Sequence, residues 1–133
     1  MILVIVLSVR KGSRMQTAGQ ILKGFYVAVT KPDLVAARRF LHRDLRFVGL
    51  FETYPNPDAY LAALSGLLRI TIRLEVKTII AEGDQAAVFF ELETKAPAAA
   101  KTLVAEWHQM REGKIVHVMS AFDGRPFAAM FGA

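Results

Sequence analysis

A carboxylate at the end of an apolar segment is the first candidate for chemistry in this sequence. Asp123 closes the alternating segment KIVHVMSAFD, directly after Phe122. Burial in an apolar cavity raises the pKa of a carboxyl group, because it disfavours the charged form, and this suits general acid–base catalysis near neutral pH. The alternative is an exposed Asp that ends the strand or caps the turn before Arg125. We take Asp123 as the candidate catalytic residue.

Two histidines flank the Glu-Gly turn that precedes this segment. If Glu112 and Gly113 form a two-residue hairpin loop, His108 lies opposite His117. Facing imidazoles can relay protons or bind a metal ion. Metal sites need three or more ligands in a fixed geometry, and only Glu106 is near. We therefore predict a catalytic or polar rim role for both histidines and no metal; half-exposed strand histidines remain the structural alternative.

The same pairing divides the hairpin into two faces, because side chains alternate along a strand. A register slip of one residue would exchange them. We assign one face to the interior, and the other to a homodimer contact or to packing under the C-terminal tail, because apolar surface that the core does not use often marks a partner. The predicted interior face carries Glu106, His108, His117, Met119 and Asp123, and the predicted partner face carries Trp107, Val118 and Phe122.

Aromatic and aliphatic residues on the neighbouring segments are candidates for the wall of a ligand cavity. Tyr54 lies in a turn, where it could form the rim, and Glu91 and Glu106 would supply polar groups. Each apolar candidate could equally be an ordinary core residue. The predicted wall consists of Phe47, Tyr54, Tyr60, Leu64, Phe89 and Met119.

The elements that must position these residues follow from hydrophobic periodicity. Helical spacing and capping residues predict three helices, and alternation predicts the strands. Because the later strands follow one another through tight turns, the order indicates an α+β fold with a mostly antiparallel sheet. The predicted helices span 13–30, with Ser13 as the N-cap, 32–41, and 59–68, with Asp58 as the N-cap. The predicted strands span 44–51, 71–80, 85–94, 102–110 and 114–123.

Length and composition limit the classes of protein that fit. A chain of 133 residues, 53% of them hydrophobic, suits one domain; we predict a loosely attached leader over residues 1–13 and a single domain over 14–133. The absence of cysteine excludes disulfides and a cysteine nucleophile and fits a cytoplasmic location. The apolar start, MILVIVL, is too short to span a membrane.

The net charge of +5 is concentrated in the first third of the chain. The arginines there have no interleaved aromatic platform, so a solvated helix face is favoured over nucleic-acid binding. A Gly-rich phosphate loop is also missing from the sequence. We therefore expect no cofactor, no membrane contact and no nucleic-acid partner.

The element order together with the closing segment resembles the SnoaL-like group of the nuclear transport factor 2-like superfamily. The resemblance covers roughly residues 15–131 and implies a curved sheet wrapped around three helices, forming a cone with an apolar cavity. Known members include polyketide cyclases, steroid isomerases and limonene epoxide hydrolases, and also non-catalytic binding modules. The residues that carry the resemblance are Glu112, Gly113, Lys114, Ile115, Phe122 and Asp123.

At one position this sequence differs from the epoxide-hydrolase members of the family, and the difference disfavours their reaction. Epoxide-hydrolase relatives place an Arg and an Asp two residues apart on the strand where this chain has Phe89 and Glu91. The Arg is missing, so epoxide opening is disfavoured. We expect a protein with a cavity for a small hydrophobic molecule and cofactor-independent acid–base chemistry of the isomerase, cyclase or hydrolase type, using Asp123. The alternative is a non-catalytic ligand- or protein-binding module that acts as a dimer.

Overall fold

The computed structural model describes residues 5–7 and 16–132. Within this part, helices and strands follow the predicted order, with two additional short strands. Ser13, the expected cap of the first helix, lies outside the described residues. The elements are β1 Ile5–Leu7, α1 Ala18–Thr30, α2 Leu34–Arg38, β2 Leu41–Val48, β3 Thr53–Tyr54, α3 Pro57–Arg69, β4 Thr71–Glu82, β5 Gln85–Thr94, β6 Ala100–Arg111, β7 Lys114–Ala121 and a C-terminal 3₁₀ helix, Arg125–Phe131.

All seven strands form one sheet in the order β1-β4-β5-β6-β7-β2-β3. The sheet is antiparallel except where β1 pairs with β4 and where β2 pairs with β7. Helix α1 packs against β4 and β5, and α3 packs against β2. The predicted α+β class, with three helices on a mostly antiparallel sheet, is confirmed. The division into a leader over residues 1–13 and a domain from residue 14 stays a prediction, although Ile5–Leu7 pairs with β4.

Local side-chain contacts define where the helices begin. Thr17 and Gln20 form a capping box at α1, in which each side chain accepts the other residue's backbone N–H. Helix α3 begins two residues earlier than expected, because its N-cap is Asn56 and not Asp58; the Asn56 side chain accepts the Ala59 N–H at 2.8 Å. Pro57 then occupies the first turn, where a missing N–H has no cost.

The second helix is shorter than its apolar pattern suggests. It ends at Arg38, and Leu41, expected on its apolar stripe, instead starts β2. Leu41 pairs with Ile115 of β7, and the Ile115 N–H donates to the Phe40 carbonyl at 2.8 Å. Pairing with β7 therefore overrides the helical spacing, since backbone hydrogen bonds to a neighbouring strand depend on residues that are distant in sequence.

The β6–β7 hairpin contains a bulge that changes its register. Arg111 pairs with Lys114 around a Glu112–Gly113 turn in which both residues have positive φ, 55° and 74°. Met110 then pairs with Ile115, but Gln109 pairs with His117, so Val116 is an extra residue on β7.

From the bulge onward, every β7 side chain takes the face opposite to the one expected. His108 pairs with Val118, and Glu106 pairs with Ser120, so Val118 and Ser120 face the helices. The expected pairing of His108 with His117 is wrong. The predicted interior positions of His117, Met119 and Asp123 are wrong for the same reason, whereas those of Glu106 and His108 hold.

Candidate functional site

An apolar cavity lies between α1, α3 and the inner face of the sheet, and opens beside the 3₁₀ helix. The volume of the cavity is about 160 Å³. One water molecule needs roughly 10–15 Å³ of cavity volume, so the cavity has room for roughly ten non-hydrogen atoms. Its wall is largely aromatic and aliphatic. The principal lining residues are Phe25, Tyr26, Phe47, Phe51, Tyr54, Tyr60, Leu64, Phe90, Val104, Glu106, Ser120, Phe122, Phe127 and Phe131.

A single buried carboxyl group lies at the inner end of this cavity. Glu106 is 7% exposed, and its Oε1 accepts a hydrogen bond from the Tyr26 hydroxyl. The same oxygen lies 3.2 Å from Nε2 of His108. Among the residues that the structure describes, none forms a hydrogen bond with Oε2. One oxygen of Glu106 is thus fixed by the protein, and the other is available to a bound molecule.

His108 lies behind Glu106, away from the cavity surface. It is completely buried, and its Nδ1 has no hydrogen-bond partner. A proton on Nδ1 would be a buried donor without an acceptor, which costs about 1–3 kcal/mol. The contacts therefore place the single ring proton on Nε2, from which it is donated to Glu106.

Two tyrosines at the cavity are held in their neutral form. Burial raises the pKa of Tyr26 well above its ordinary value, and the nearby Glu106 raises it further. Burial likewise raises the pKa of Tyr60, with a further contribution from Glu106. Tyr26 therefore remains a hydrogen-bond donor to Glu106 throughout the physiological pH range.

Stacked aromatic rings form the wall and the mouth of the cavity. Tyr60 stacks on Phe47 with ring centroids 4.7 Å apart. At the mouth, Phe51 stacks on Phe131 of the 3₁₀ helix at 4.7 Å and 6°, and Phe122 contacts Phe127 edge to face. The C-terminal segment thus closes one side of the cavity by aromatic packing.

The structure separates the predicted site residues into three groups. The lining includes the predicted residues Phe47, Tyr54, Tyr60, Leu64 and Glu106. His108 is buried behind Glu106, and the other predicted residues lie outside the lining. Those outside the lining are Phe89, Glu91, His117, Met119 and Asp123.

Phe89 and Glu91 lie on the outer face of the sheet. Phe89 pairs with Ala105, and Glu91 pairs with the exposed Leu103. Glu91 also forms an ion pair with Arg73 at 3.4 Å. The inner residue of that strand at the cavity is Phe90, so the expected inward direction of Phe89 and Glu91 is wrong by one position.

Asp123 lies outside the cavity and is exposed. Its carboxylate accepts hydrogen bonds from the Arg125 side chain, the shortest at 2.6 Å, and from the Arg125 backbone N–H at 3.1 Å. These hydrogen bonds lower the pKa of Asp123 to about 2. The expected burial with a raised pKa is therefore corrected, and the catalytic role of Asp123 stays a prediction without support from its position.

The predicted partner face is also divided by the bulge. Trp107 is 40% exposed on the outer face, as expected. Val118 is fully buried on the inner face, and Phe122 lines the cavity. On β7 it is Met119, paired with Trp107, that faces outward.

Sequence reasoning did not predict the contact by which Tyr26 holds Glu106. Tyr26 follows Phe25 in α1, and both are buried. The apolar stripe of this helix predicts a buried face, but a hydrogen bond to a residue 80 positions later has no local signal. In the described part of the chain, no cluster of three or more acidic or histidine side chains could hold a metal ion. No described helix is long and apolar enough to cross a membrane.

Comparisons with known proteins agree with this architecture. The SnoaL-like domain family matches residues 22–118. An NTF2-like protein of unknown function from Cytophaga hutchinsonii is 15% identical, with a TM-score of 0.73, and the match covers 86% of this chain and 96% of that one. A search of curated proteins gave no match.

Two further solved structures share the fold at low identity. A proposed hydroxylase, AclR from Streptomyces galilaeus, is 17% identical with a TM-score of 0.69, covering 86% of this chain and 95% of that one. A proposed polyketide cyclase from Sinorhizobium meliloti is 15% identical with a TM-score of 0.69, covering 76% and 93%. These solved structures share the fold of this chain, and with a family match over most of its length the chain belongs to the SnoaL-like family.

Proposed function

We propose that this protein binds a small hydrophobic molecule in the cavity and transfers a proton on it without a cofactor, with Glu106 as the acid or base. The observation that carries the proposal is a carboxyl group that is 7% exposed in an apolar cavity and has one oxygen free. Two solved structures with this fold are described as a proposed polyketide cyclase and a proposed hydroxylase, and these descriptions support a reaction on an organic molecule.

The roles of the neighbouring residues follow from their contacts. Tyr26 and His108 both reach Oε1 of Glu106 and act as positioning residues, because they fix the direction of Oε2. The aromatic wall excludes water from a bound molecule, which strengthens electrostatic interactions inside the cavity. A carbonyl compound bound against this wall would present an acidic C–H to Oε2, which would accept the proton and return it at another position.

Exchange of α-protons on a small ketone tests this proposal. In D₂O the wild-type protein should accelerate deuterium incorporation into 2-indanone, followed by NMR. Glu106→Gln should reduce that rate about 10²-fold or more, because general acid–base catalysis typically contributes 10²–10⁴-fold. Asp123→Asn is the matched control and should leave the rate unchanged.

Circular dichroism should show that both variants fold. Equal rates for wild type and Glu106→Gln would contradict the role of Glu106. Loss of exchange in Asp123→Asn alone would restore the assignment made from sequence.

A second candidate, a binding module that acts as a homodimer, is favoured by the outer face of the sheet. Ile80, Ala87, Trp107 and Met119 form one row across β4, β5, β6 and β7, and three of them are large, apolar and exposed. Exposed apolar surface of this kind typically marks a protein contact. The occupant that we propose is a second copy of the chain.

A further inference from the structure

The charged groups at the cavity all have the same sign. Glu106 lies at its inner end, and Glu52 lies at its mouth. None of the described lining residues is Lys, Arg or His. The cavity therefore concentrates negative charge in a protein whose formal net charge is +5, and this contrast points to the charge of the molecule that it holds.

Within the part of the chain that the structure describes, Glu106 forms no ion pair with a Lys or Arg side chain. Tyr26 supplies a neutral O–H donor, and the contacts of His108 indicate the neutral tautomer with its proton on Nε2. Burial of a charged carboxylate is costly unless its oxygens are paired or hydrogen-bonded. The two donors satisfy Oε1, and Oε2 still lacks a partner in the described part of the chain.

The surrounding wall is suited to a cation as well. Ten of the 23 lining residues are aromatic, and the face of an aromatic ring attracts an ammonium group within about 6 Å of its centroid. Tyr60 and Phe47, stacked on each other, form one side of this wall. Aromatic rings therefore surround the entrance path from Glu52 to Glu106.

From this we infer that the preferred ligand is a small organic amine, bound as its ammonium ion, whose N–H donates to Oε2 of Glu106 and whose apolar body packs on the aromatic wall. The inference rests on the proposed function because it uses the same cavity. It adds the ligand class: cations are favoured, neutral molecules of the same shape are accepted more weakly, and carboxylates are rejected. With a bound amine, the group that donates to Oε2 of Glu106 is the ammonium N–H.

Three probes of nearly equal size test whether the cavity prefers a cation, a neutral molecule or an anion: benzylamine, benzyl alcohol and benzoate. At pH 7, calorimetry on the wild-type protein should give benzylamine about tenfold tighter binding than benzyl alcohol, a difference of about 1.4 kcal/mol. Benzoate should show no measurable binding. Equal or tighter binding of the alcohol, or binding of benzoate, would overturn the ligand class while leaving the binding cavity intact.

Two variants test which carboxylate causes the preference for the amine over the alcohol. Glu106→Gln should reduce the advantage of the amine over the alcohol to less than about threefold. Glu52→Gln removes one exposed carboxylate at the mouth, where salt screens its effect, and should retain most of the preference. If Glu106→Gln kept the full preference for the amine, this would contradict the proposed contact between the ammonium group and Glu106. If no probe binds to the wild type, this inference fails, whereas the exchange of 2-indanone decides the proposed function separately.

Discussion

At the residue scale, the proposed chemistry depends on one buried carboxyl group and on the donors that hold it. Glu106 lies on β6 and Asp123 follows the neighbouring strand β7, and the surroundings of these two carboxylic acids differ. Glu106 is enclosed by Tyr26 and His108 at the cavity, whereas Asp123 is exposed and paired with Arg125. Position in the fold, and not residue type, therefore decides which of these two carboxyl groups lies at the cavity.

Removing the Tyr26 hydroxyl should measurably weaken the fold. Tyr26→Phe deletes the donor to Glu106 while keeping the ring, and a hydrogen bond to a charged group contributes about 1.5–3 kcal/mol. We expect the free energy of unfolding in urea to fall by an amount in this range. Tyr54→Phe, at a partly exposed tyrosine, is the control and should change stability little. An unchanged stability of Tyr26→Phe would show that the hydroxyl does not hold Glu106.

The two buried tyrosines also predict a dependence of stability on pH. Their pKa values are raised in the folded protein, so their contribution to stability is complete below the unfolded value of 10.0. Above this pH the unfolded chain loses protons that the folded chain retains, and stability falls as the pH rises. Urea unfolding measured at increasing pH should show this decline, and the double variant Tyr26→Phe, Tyr60→Phe should show a shallower one. If stability declined with pH equally in the wild type and the double variant, this would contradict the raised pKa values of Tyr26 and Tyr60.

At the element scale, the aromatic mouth depends on close packing between the loop after β2 and the start of the 3₁₀ helix. Gly124 lies so close to this loop that a Cβ atom there would come within 2.3 Å of Leu50 and 2.8 Å of Phe51. Such distances require a neighbouring group to move. Phe51 also stacks on Phe131, so the displacement would reach the wall of the cavity.

Gly124→Ala should therefore weaken binding of 2-indanone or benzyl alcohol, and lower the melting temperature. Gly66→Ala is the matched control, because nothing lies within 4 Å of a Cβ atom at that exposed helical position. In a helix, Ala is favoured over Gly by about 0.5–1 kcal/mol, so this variant should be equally or more stable. Unchanged binding in Gly124→Ala would show that the mouth adapts without cost.

At the scale of the whole molecule, the proposed homodimer follows from the outer face of the sheet. Light scattering should give twice the monomer mass of 14.7 kDa. Trp107→Lys places a charge at the centre of the exposed row and should shift the protein to the monomer. Val35→Lys, at a residue that is 75% exposed on α2, is the control and should leave the mass unchanged. A monomeric wild type at high concentration would contradict the dimer.

Periodicity in the sequence determined the order of the helices and strands, the α+β class and the tight turn at Glu112–Gly113, because these depend on residues close together in the chain. It also placed Phe47, Tyr60, Leu64 and Glu106 among the cavity candidates. Only the tertiary structure decided which acid faces the cavity. The extra residue Val116 shifts the β7 register by one, and a bulge depends on how the strand pairs and curves within the whole sheet. For the same reason, the contact between Tyr26 and Glu106 exists only once α1 packs onto that sheet.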